Sequence, residues 1–255
     1  RRQAQRPDGH RRQRRDVRPD GGGGGRHGPD LRSHTKAISA LGRRRLWGAA
    51  VAVLQELRLE GVQPNVFLCG AALAACERAA QWARSLRLLA EMRRAGVEPN
   101  AVVFGSVTGV FDQSRQWRRA IATQHVMRED GICPNAFIHN SAISACGKAE
   151  QWQCALLELT EMRRGGVAPD IITYNAAISA CCSGPEWERA LHLLRSAEGG
   201  RLRPDVFTYG AAVAALQAGG RWEAVILLLE EMELRGIELN LITCNAAISA
   251  CEKGE

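Results

Sequence analysis

The chain repeats a short segment at a fixed spacing, and this spacing constrains the fold more than any other feature. The segment ITYNAAISAC occupies residues 172–181, and ITCNAAISAC, which is identical at nine of ten positions, occupies residues 242–251. A third copy, HNSAISAC, occupies residues 139–146 and lies 35 residues before the equivalent part of the first segment. Such self-similarity is typical of an array of small stacked units rather than of one globular core.

The period of 35 holds without gaps from residue 31 onward. We number the units repeats 1 to 6 and a partial repeat 7, with the ranges 31–65, 66–100, 101–135, 136–170, 171–205, 206–240 and 241–255. The seventeenth position of every complete repeat is a Trp, and these six are all the Trp of the protein: Trp47, Trp82, Trp117, Trp152, Trp187 and Trp222. Most repeats close with Gly at the thirty-first position and Pro at the thirty-fourth.

Each repeat predicts two helices. Apolar residues recur with helical spacing from about the second to the thirteenth position, and again from the Trp onward. The closing Gly and Pro then stop the second helix. One helical hairpin of this size cannot bury its apolar side alone, so neighbouring repeats must stack. The sequence therefore predicts an all-α fold, an α-solenoid of tandem 35-residue helix–turn–helix repeats.

Residues 1–30 do not join the repeat. They contain nine Arg, four Asp and five consecutive Gly, and this composition predicts a disordered tail. The tail is either a solvated segment or an aid to anion binding; four Asp and no Ser argue against a transit peptide remnant. Residues 31–255 hold 25 Lys and Arg against 23 Asp and Glu, so the basic pI does not by itself indicate that the repeats bind nucleic acid.

One side of the first helix predicts the core. At about 100° per residue, the fourth, seventh, eighth and eleventh positions share a side, as in Tyr174, Ala177, Ile178 and Cys181. Cys recurs on this side as Cys69, Cys76, Cys146, Cys181, Cys244 and Cys251. Buried Cys often serves as a small hydrophobic residue, so we favour core filling over a metal or redox site. No CxxC occurs, and the nine Cys suit a reducing compartment.

The opposite side of the first helix combines apolar and small polar residues. The second position is Arg32 in repeat 1 and apolar in every later repeat, whereas the fifth position is Thr, Gly or Asn. The last position is always Asn or Asp, both of which are preferred helix N-caps. Asn and Gly are poor helix formers, so this side suits a ladder of small pockets. The alternatives are packing of the second position against the adjacent repeat and purely local capping by the others.

Residues 31–255 combine the period with TYNAAISA in the first helix, EEM late in the second helix and the closing G-V-x-P-[DN]. In these features they resemble the plain 35-residue class of pentatricopeptide repeats. This resemblance implies a right-handed superhelix that binds single-stranded RNA, with one base per repeat. It implies base selection by the fifth and last positions, which are Thr35, Asn65, Gly70, Asn100, Gly105, Asn135, Asn140, Asp170, Asn175, Asp205, Gly210, Asn240 and Asn245. It implies base clamping by the second position, which is Phe67, Val102, Phe137, Ile172, Phe207 and Ile242.

Two further expectations follow from the resemblance. Cations at the thirteenth position, namely Arg78, Lys148 and Lys253, would face phosphates. The two repeats that pair Asn with Asp, repeats 4 and 5, would favour a pyrimidine, chiefly U, whereas Thr35 with Asn65 would favour A. The three Gly at the fifth position have no side chain with which to read a base.

The Trp at the seventeenth position is not required by the family pattern. Its place at the start of the second helix suggests an anchor between helices in the core. The alternative is an exposed ladder on which bases would stack.

The resemblance implies a role in organelle RNA processing, stability or expression, in the chloroplast or mitochondrion. The expected partners are single-stranded RNA and other RNA-processing proteins, with no cofactor, metal, membrane or small-molecule substrate. One alternative is a protein-binding helical scaffold, although the 34-residue period and W-x2-L-G-x2-Y pattern of tetratricopeptide repeats do not occur.

The chain is expected not to be an enzyme. The H-x-E and P-C-x-x-C motifs of zinc deaminases do not occur. The chain begins with Arg1 and ends inside a repeat, so we expect a longer parent protein. This leaves open a third function, in which the repeats guide a catalytic domain that lies further along the parent chain.

Overall fold

The computed structural model describes residues 31–182, 184 and 186–253, without the side chains of Ile242, Cys251 and Lys253. The tail predicted for residues 1–30 lies outside the described residues. Every helix in the described part of the chain has at most 13 residues, fewer than the roughly 20 that span a bilayer.

The described residues form thirteen α-helices and no strand. The helices are α1 Leu31–Arg43, α2 Trp47–Leu59, α3 Val66–Arg78, α4 Trp82–Arg94, α5 Ala101–Gln113, α6 Trp117–Glu129, α7 Ala136–Lys148, α8 Trp152–Arg164, α9 Ile171–Cys181, α10 Trp187–Gly199, α11 Val206–Ala218, α12 Trp222–Leu234 and α13 Leu241–Lys253. The odd-numbered helices are the first helices of the repeats, and the even-numbered helices are the second, each beginning at its Trp.

The second helices end as the closing Gly predicts. In repeats 1 to 4 and in repeat 6 this Gly has a φ between 69° and 77°, which is the left-handed conformation that Gly adopts without strain. Repeat 5 has Arg201 at the same position, with a φ of 60°. A non-Gly residue in this conformation costs about 1 kcal/mol, so repeat 5 keeps the turn at some expense in stability.

The helices form two layers. Each first helix packs against the first helix of the next repeat, so α1, α3, α5, α7, α9, α11 and α13 form one continuous row. Each second helix packs against the first helix of its own repeat and against that of the next. Apolar side chains between the layers form the core, and the arrangement is the α-solenoid that the period predicts.

Four of the six repeated Cys belong to this core, whereas Cys244 is only partly buried and the Cys251 side chain lies outside the described residues. Cys69, Cys76, Cys146 and Cys181 are buried and free, which confirms the core-filling interpretation. Burial raises the pKa of Cys146 to about 12 and that of Cys181 to about 11, so both thiols are protonated at neutral pH. The described residues contain no group of three or more potential ligands that could hold a metal ion.

The Trp side chains anchor one repeat to the next. All six are half-buried and pack against the core. A guanidinium from the following repeat covers the ring in three cases: Arg119 lies 3.9 Å from the Trp82 centroid, Arg189 4.7 Å from Trp152 and Arg221 4.6 Å from Trp187. These contacts confirm the anchor interpretation, and the covered rings are not a ladder for base stacking.

Candidate nucleic-acid interface

An exposed row of apolar side chains runs along the first helices. Phe67, Val102, Phe137, Ile172 and Phe207 stand at the second position, and each is between 56% and 72% exposed. The adjacent repeat therefore does not bury them, which argues against the packing alternative. A regular set of exposed large apolar residues marks a binding surface. The side chain of Ile242, the last member of the predicted set, lies outside the described residues.

The fifth and last positions meet in the two repeats that pair Asn with Asp. The Asn140 Nδ2 donates a hydrogen bond to Asp170 Oδ1 at 3.2 Å, and the Asn175 Nδ2 donates to Asp205 Oδ1 at 3.5 Å. Each pair is separated by 30 residues, and it forms because the first helices of neighbouring repeats pack side by side. Two positions that the family pattern assigns to one base thus share one small site.

The last position also caps the next helix, as the local alternative predicts. In all six repeats its side-chain Oδ1 accepts a hydrogen bond from the backbone N–H three residues later, at 2.8 to 3.1 Å. These residues are Asn65, Asn100, Asn135, Asp170, Asp205 and Asn240. Capping uses one oxygen, so Asn keeps a free NH₂ donor and Asp keeps a second oxygen acceptor. Ser or Thr could cap but would have no second polar atom left for a ligand.

The two Asp of this row are charged at neutral pH. Burial raises the pKa of Asp170, but hydrogen bonds from Thr173 and Asn140 outweigh it, so the pKa lies below its ordinary value. Asp205 follows the same rule, with Thr208 and Asn175 as its partners. Both sites therefore present a carboxylate acceptor beside an amide donor.

A buried Thr at the third position supports these pairs, and the sequence analysis missed it. The Thr173 Oγ1 lies 2.6 Å from Asn140 Oδ1 and 2.8 Å from Asp170 Oδ1, and it accepts a hydrogen bond from the Asp170 N–H at 3.1 Å. Thr208 and Thr243 occupy the same position in the next two repeats. Their recurrence three residues after the cap is the signature of a capping box, so the signal was present in the sequence.

The Gly at the fifth position create two different surfaces. No described atom lies within 4 Å of where a Cβ on Gly70 would stand, and only the Thr243 Cγ2, at 3.6 Å, approaches that of Gly210. A Cβ on Gly105 would lie 3.3 Å from the ring of Phe137. The space beside Gly70 and Gly210 is thus open to a ligand, whereas the Phe137 ring covers Gly105.

The remaining predicted site residues differ in whether their polar groups are free to bind RNA. The Thr35 hydroxyl already donates a hydrogen bond to the Leu31 carbonyl at 2.7 Å. Asn245, in contrast, is exposed. Of the thirteenth-position cations, Arg78 is exposed, whereas the Lys148 Nζ is paired with Asp112 of the preceding repeat at 2.7 Å. A phosphate would have to compete with Asp112 for Lys148. The Lys253 side chain lies outside the described residues.

Comparison with protein families gives repeated matches to one family. The pentatricopeptide repeat domain model matches residues 52–114, 87–149 and 227–254. The PPR repeat family model matches residues 134–183, and the PPR repeat model matches residues 172–198 and 207–237. No curated protein sequence matches the chain.

Solved structures show the same architecture. The chain is similar to the pentatricopeptide repeat protein PPR10 from maize, with 25% identity and a TM-score of 0.67 over 87% of this chain and 32% of that one. A structure of PPR10 in complex with an 18-nt psaJ RNA element gives 25% identity and a TM-score of 0.56, over 86% of this chain and 36% of that one.

A third structure, the PPR domain of Arabidopsis thaliana protein-only RNase P 1 in complex with tRNA, is 16% identical with a TM-score of 0.59, over 71% and 95% of the two chains, and supports the fold alone. The chain spans about a third of the length of the maize protein. With its period, its helical hairpins and family matches that together cover residues 52–198 and 207–254, the chain belongs to the pentatricopeptide repeat family.

Proposed function

We propose that residues 31–255 bind single-stranded RNA and select bases through the fifth and last positions of the repeats. The observation that carries this proposal is the pair of sites in repeats 4 and 5, where an amide donor and a carboxylate acceptor meet beside the exposed apolar row. The RNA complex of the similar PPR10 protein supports the same class of ligand.

The chemistry of these two sites favours uracil. Uracil presents an N3–H donor between two carbonyl acceptors, and bases splayed from a single strand can be read on this edge. The Asp170 carboxylate can accept the N3–H while the Asn140 amide donates to a carbonyl. Cytosine has an acceptor at N3, which a carboxylate repels. The neighbouring second-position side chains, such as Phe137 and Ile172, would cover the faces of the base.

The biological role that we propose is organelle RNA processing, stability or expression, in the chloroplast or mitochondrion. It rests on family membership. The protein would protect a transcript or recruit other RNA-processing proteins to it, without chemistry of its own. In this account the array at residues 31–255 is the binding unit, and the tail at residues 1–30 adds charge.

The test is selection from a random pool of single-stranded RNA with the purified chain. We expect enrichment of two adjacent pyrimidines, with U favoured over C, because repeats 4 and 5 carry the same Asn–Asp pair. Enrichment of bound RNA without any motif would show that the pairs do not select bases. Absence of binding by a helical, folded protein would favour a protein-binding scaffold instead.

A further inference from the structure

Charge is distributed unevenly along the array. Residues 31–130 contain 15 Lys and Arg against 8 Asp and Glu, whereas residues 131–255 contain 10 against 15. The two parts therefore differ in sign, although the whole array is nearly neutral. Because RNA is a polyanion, its backbone is attracted to the first part and repelled by the second.

A cavity in repeat 1 gathers this positive charge on the candidate RNA surface. Its volume is about 770 Å³, and Arg32, Lys36 and Arg43 line it together with Phe67. The three cations are spaced four and seven residues apart, which places them on one face of α1. Helix α1 contains no acidic residue. Thr35 and Asn65, the selecting positions of repeat 1, line the same cavity.

Lys36 distinguishes repeat 1 from all later repeats, whereas Arg43 stands at the thirteenth position, where Arg78, Lys148 and Lys253 also occur. The sixth position, occupied by Lys36, is otherwise small: Ala71, Ser106, Ser141, Ala176, Ala211 and Ala246. Lys36 and Arg43 are exposed, and neither has an ion-pair partner in the part of the chain that the structure describes. Lys148, in contrast, is already paired with Asp112. The two side chains of repeat 1 can therefore bind an anion without breaking an existing contact.

We propose that the cavity of repeat 1 is an electrostatic anchor for the RNA backbone. One nucleotide lies against the Phe67 ring, and Lys36 and Arg43 bind the phosphates on its two sides. The two cations supply affinity to any single strand, and the fifth and last positions, above all the Asn–Asp pairs of repeats 4 and 5, supply base selection. This inference rests on the proposed RNA binding and divides that function between two regions of the array.

The division predicts a specific salt dependence. Each phosphate neutralised on a single strand contributes about 0.7 to the slope of log affinity against log salt. The double substitution K36Q/R43Q removes two such contacts, so the slope should become shallower by about 1.4. The ratio of affinities for oligouridylate and oligoadenylate should stay unchanged, because Thr35, Asn65 and the Asn–Asp pairs of repeats 4 and 5 are all intact in this variant.

A matched control lies on a second helix. Arg87 and Arg94 of α4 are also exposed, also seven residues apart and also without an ion-pair partner among the described residues. They lie outside the cavity, so R87Q/R94Q removes equal charge without touching the anchor. A second variant, K36R/R43K, keeps both charges and should keep the wild-type slope. All three variants are made in the 255-residue chain, and circular dichroism checks their helix content.

The experiment measures binding of labelled oligouridylate and oligoadenylate of equal length between about 50 and about 200 mM salt. The anchor is supported if only K36Q/R43Q flattens the slope. It is overturned if K36Q/R43Q has the wild-type slope, if R87Q/R94Q flattens it equally, or if K36R/R43K fails to keep it. If the wild type binds neither RNA, the proposed function itself fails, and this outcome is distinct from the others.

Discussion

Repeats 2 and 3 have the same backbone as repeats 4 and 5, yet their first helices present different chemistry to a ligand. In repeats 4 and 5, Asn140 and Asn175 are hydrogen-bonded to the Asp that caps the next helix. In repeats 2 and 3 the equivalent residues are Gly70 and Gly105, and the cap has no partner at the fifth position. The fifth position can vary in this way because neither the core nor the helix caps depend on it.

A buried polar cluster lies at the junction of these two regions. His139 and Glu158 are 1% and 4% exposed, and the His139 Nδ1 lies 2.7 Å from Glu158 Oε1. Gln124 of repeat 3 is also buried and donates to the same oxygen. The apolar core divides into two clusters near this cluster. The cluster thus connects repeat 3 to repeat 4 by polar contacts within an otherwise apolar interior.

The largest effect that we predict comes from breaking this junction. Glu158→Ala should lower the free energy of unfolding by about 3 kcal/mol, because it leaves His139 and Gln124 buried without their shared partner. Chemical denaturation followed by circular dichroism measures the loss. The control is Glu161→Ala on the same helix, which removes an exposed ion pair with Arg164 and should change stability by less than about 0.5 kcal/mol. Equal losses for both variants would contradict the role of the cluster.

The exposed apolar row provides the next prediction. Phe137→Ala should weaken RNA binding about tenfold, because stacking of a base on an aromatic ring contributes about 1–3 kcal/mol. Leu157→Ala is the control, since Leu157 is 60% exposed but lies on the second helix α8. Fluorescence anisotropy with oligouridylate compares the two. A similar loss in both variants, or none in Phe137→Ala, would show that the row does not contact the bases.

The two Gly surfaces give a smaller and opposite effect. Gly70→Ala should raise the free energy of unfolding by up to about 1 kcal/mol, because Ala is the better helix former and the site is open. Gly105→Ala should gain less, since its Cβ must displace the Phe137 ring. Thermal unfolding of both variants tests this order. A larger gain in the free energy of unfolding for Gly105→Ala than for Gly70→Ala would mean that the Phe137 ring does not restrict the space beside Gly105.

The smallest effect that we predict is on the stability of the protein at acidic pH. Asp170 and Asp205 have a folded-state pKa below the unfolded value near 3.9, so their stabilising contribution is present above that pH and is lost as the pH falls through the folded pKa. The variant D170N/D205N keeps both caps, as Asn does in repeats 1 to 3, but cannot titrate. Below about pH 4 the wild type should therefore lose more stability than the variant. Parallel acid curves would contradict this account.

The sequence predicts the architecture well because the signals for it are local and recur. Asn or Asp before a helix, Gly after it and a Trp at each second helix fix the boundaries independently in every repeat. The sequence did not predict features that occur once. The cluster of Gln124, His139 and Glu158 and the pairing of Lys148 with Asp112 each need a combination of residues that occurs only once among the repeats. In the sequence, the strained Arg201 is recognisable only because the other complete repeats have Gly at the thirty-first position.

The dual use of the last position also required the structure. The sequence left local capping and base selection as alternatives. The geometry shows that the cap uses one oxygen of Asp170 and that the same side chain accepts from Asn140. Both interpretations can therefore hold for one residue.

Selection of a base by the fifth position can be tested with a single substitution, Asn175→Thr. The Asn175 Oδ1 has no hydrogen-bond partner among the described residues, and its Nδ2 donates a long hydrogen bond, at 3.5 Å, to Asp205, so the substitution should leave stability nearly unchanged. RNA selection with the wild type and with this variant should then differ at one of the two adjacent pyrimidines, with a shift from U toward G. An unchanged motif, together with a fall in stability, would mean that Asn175 is a structural residue and would contradict the account.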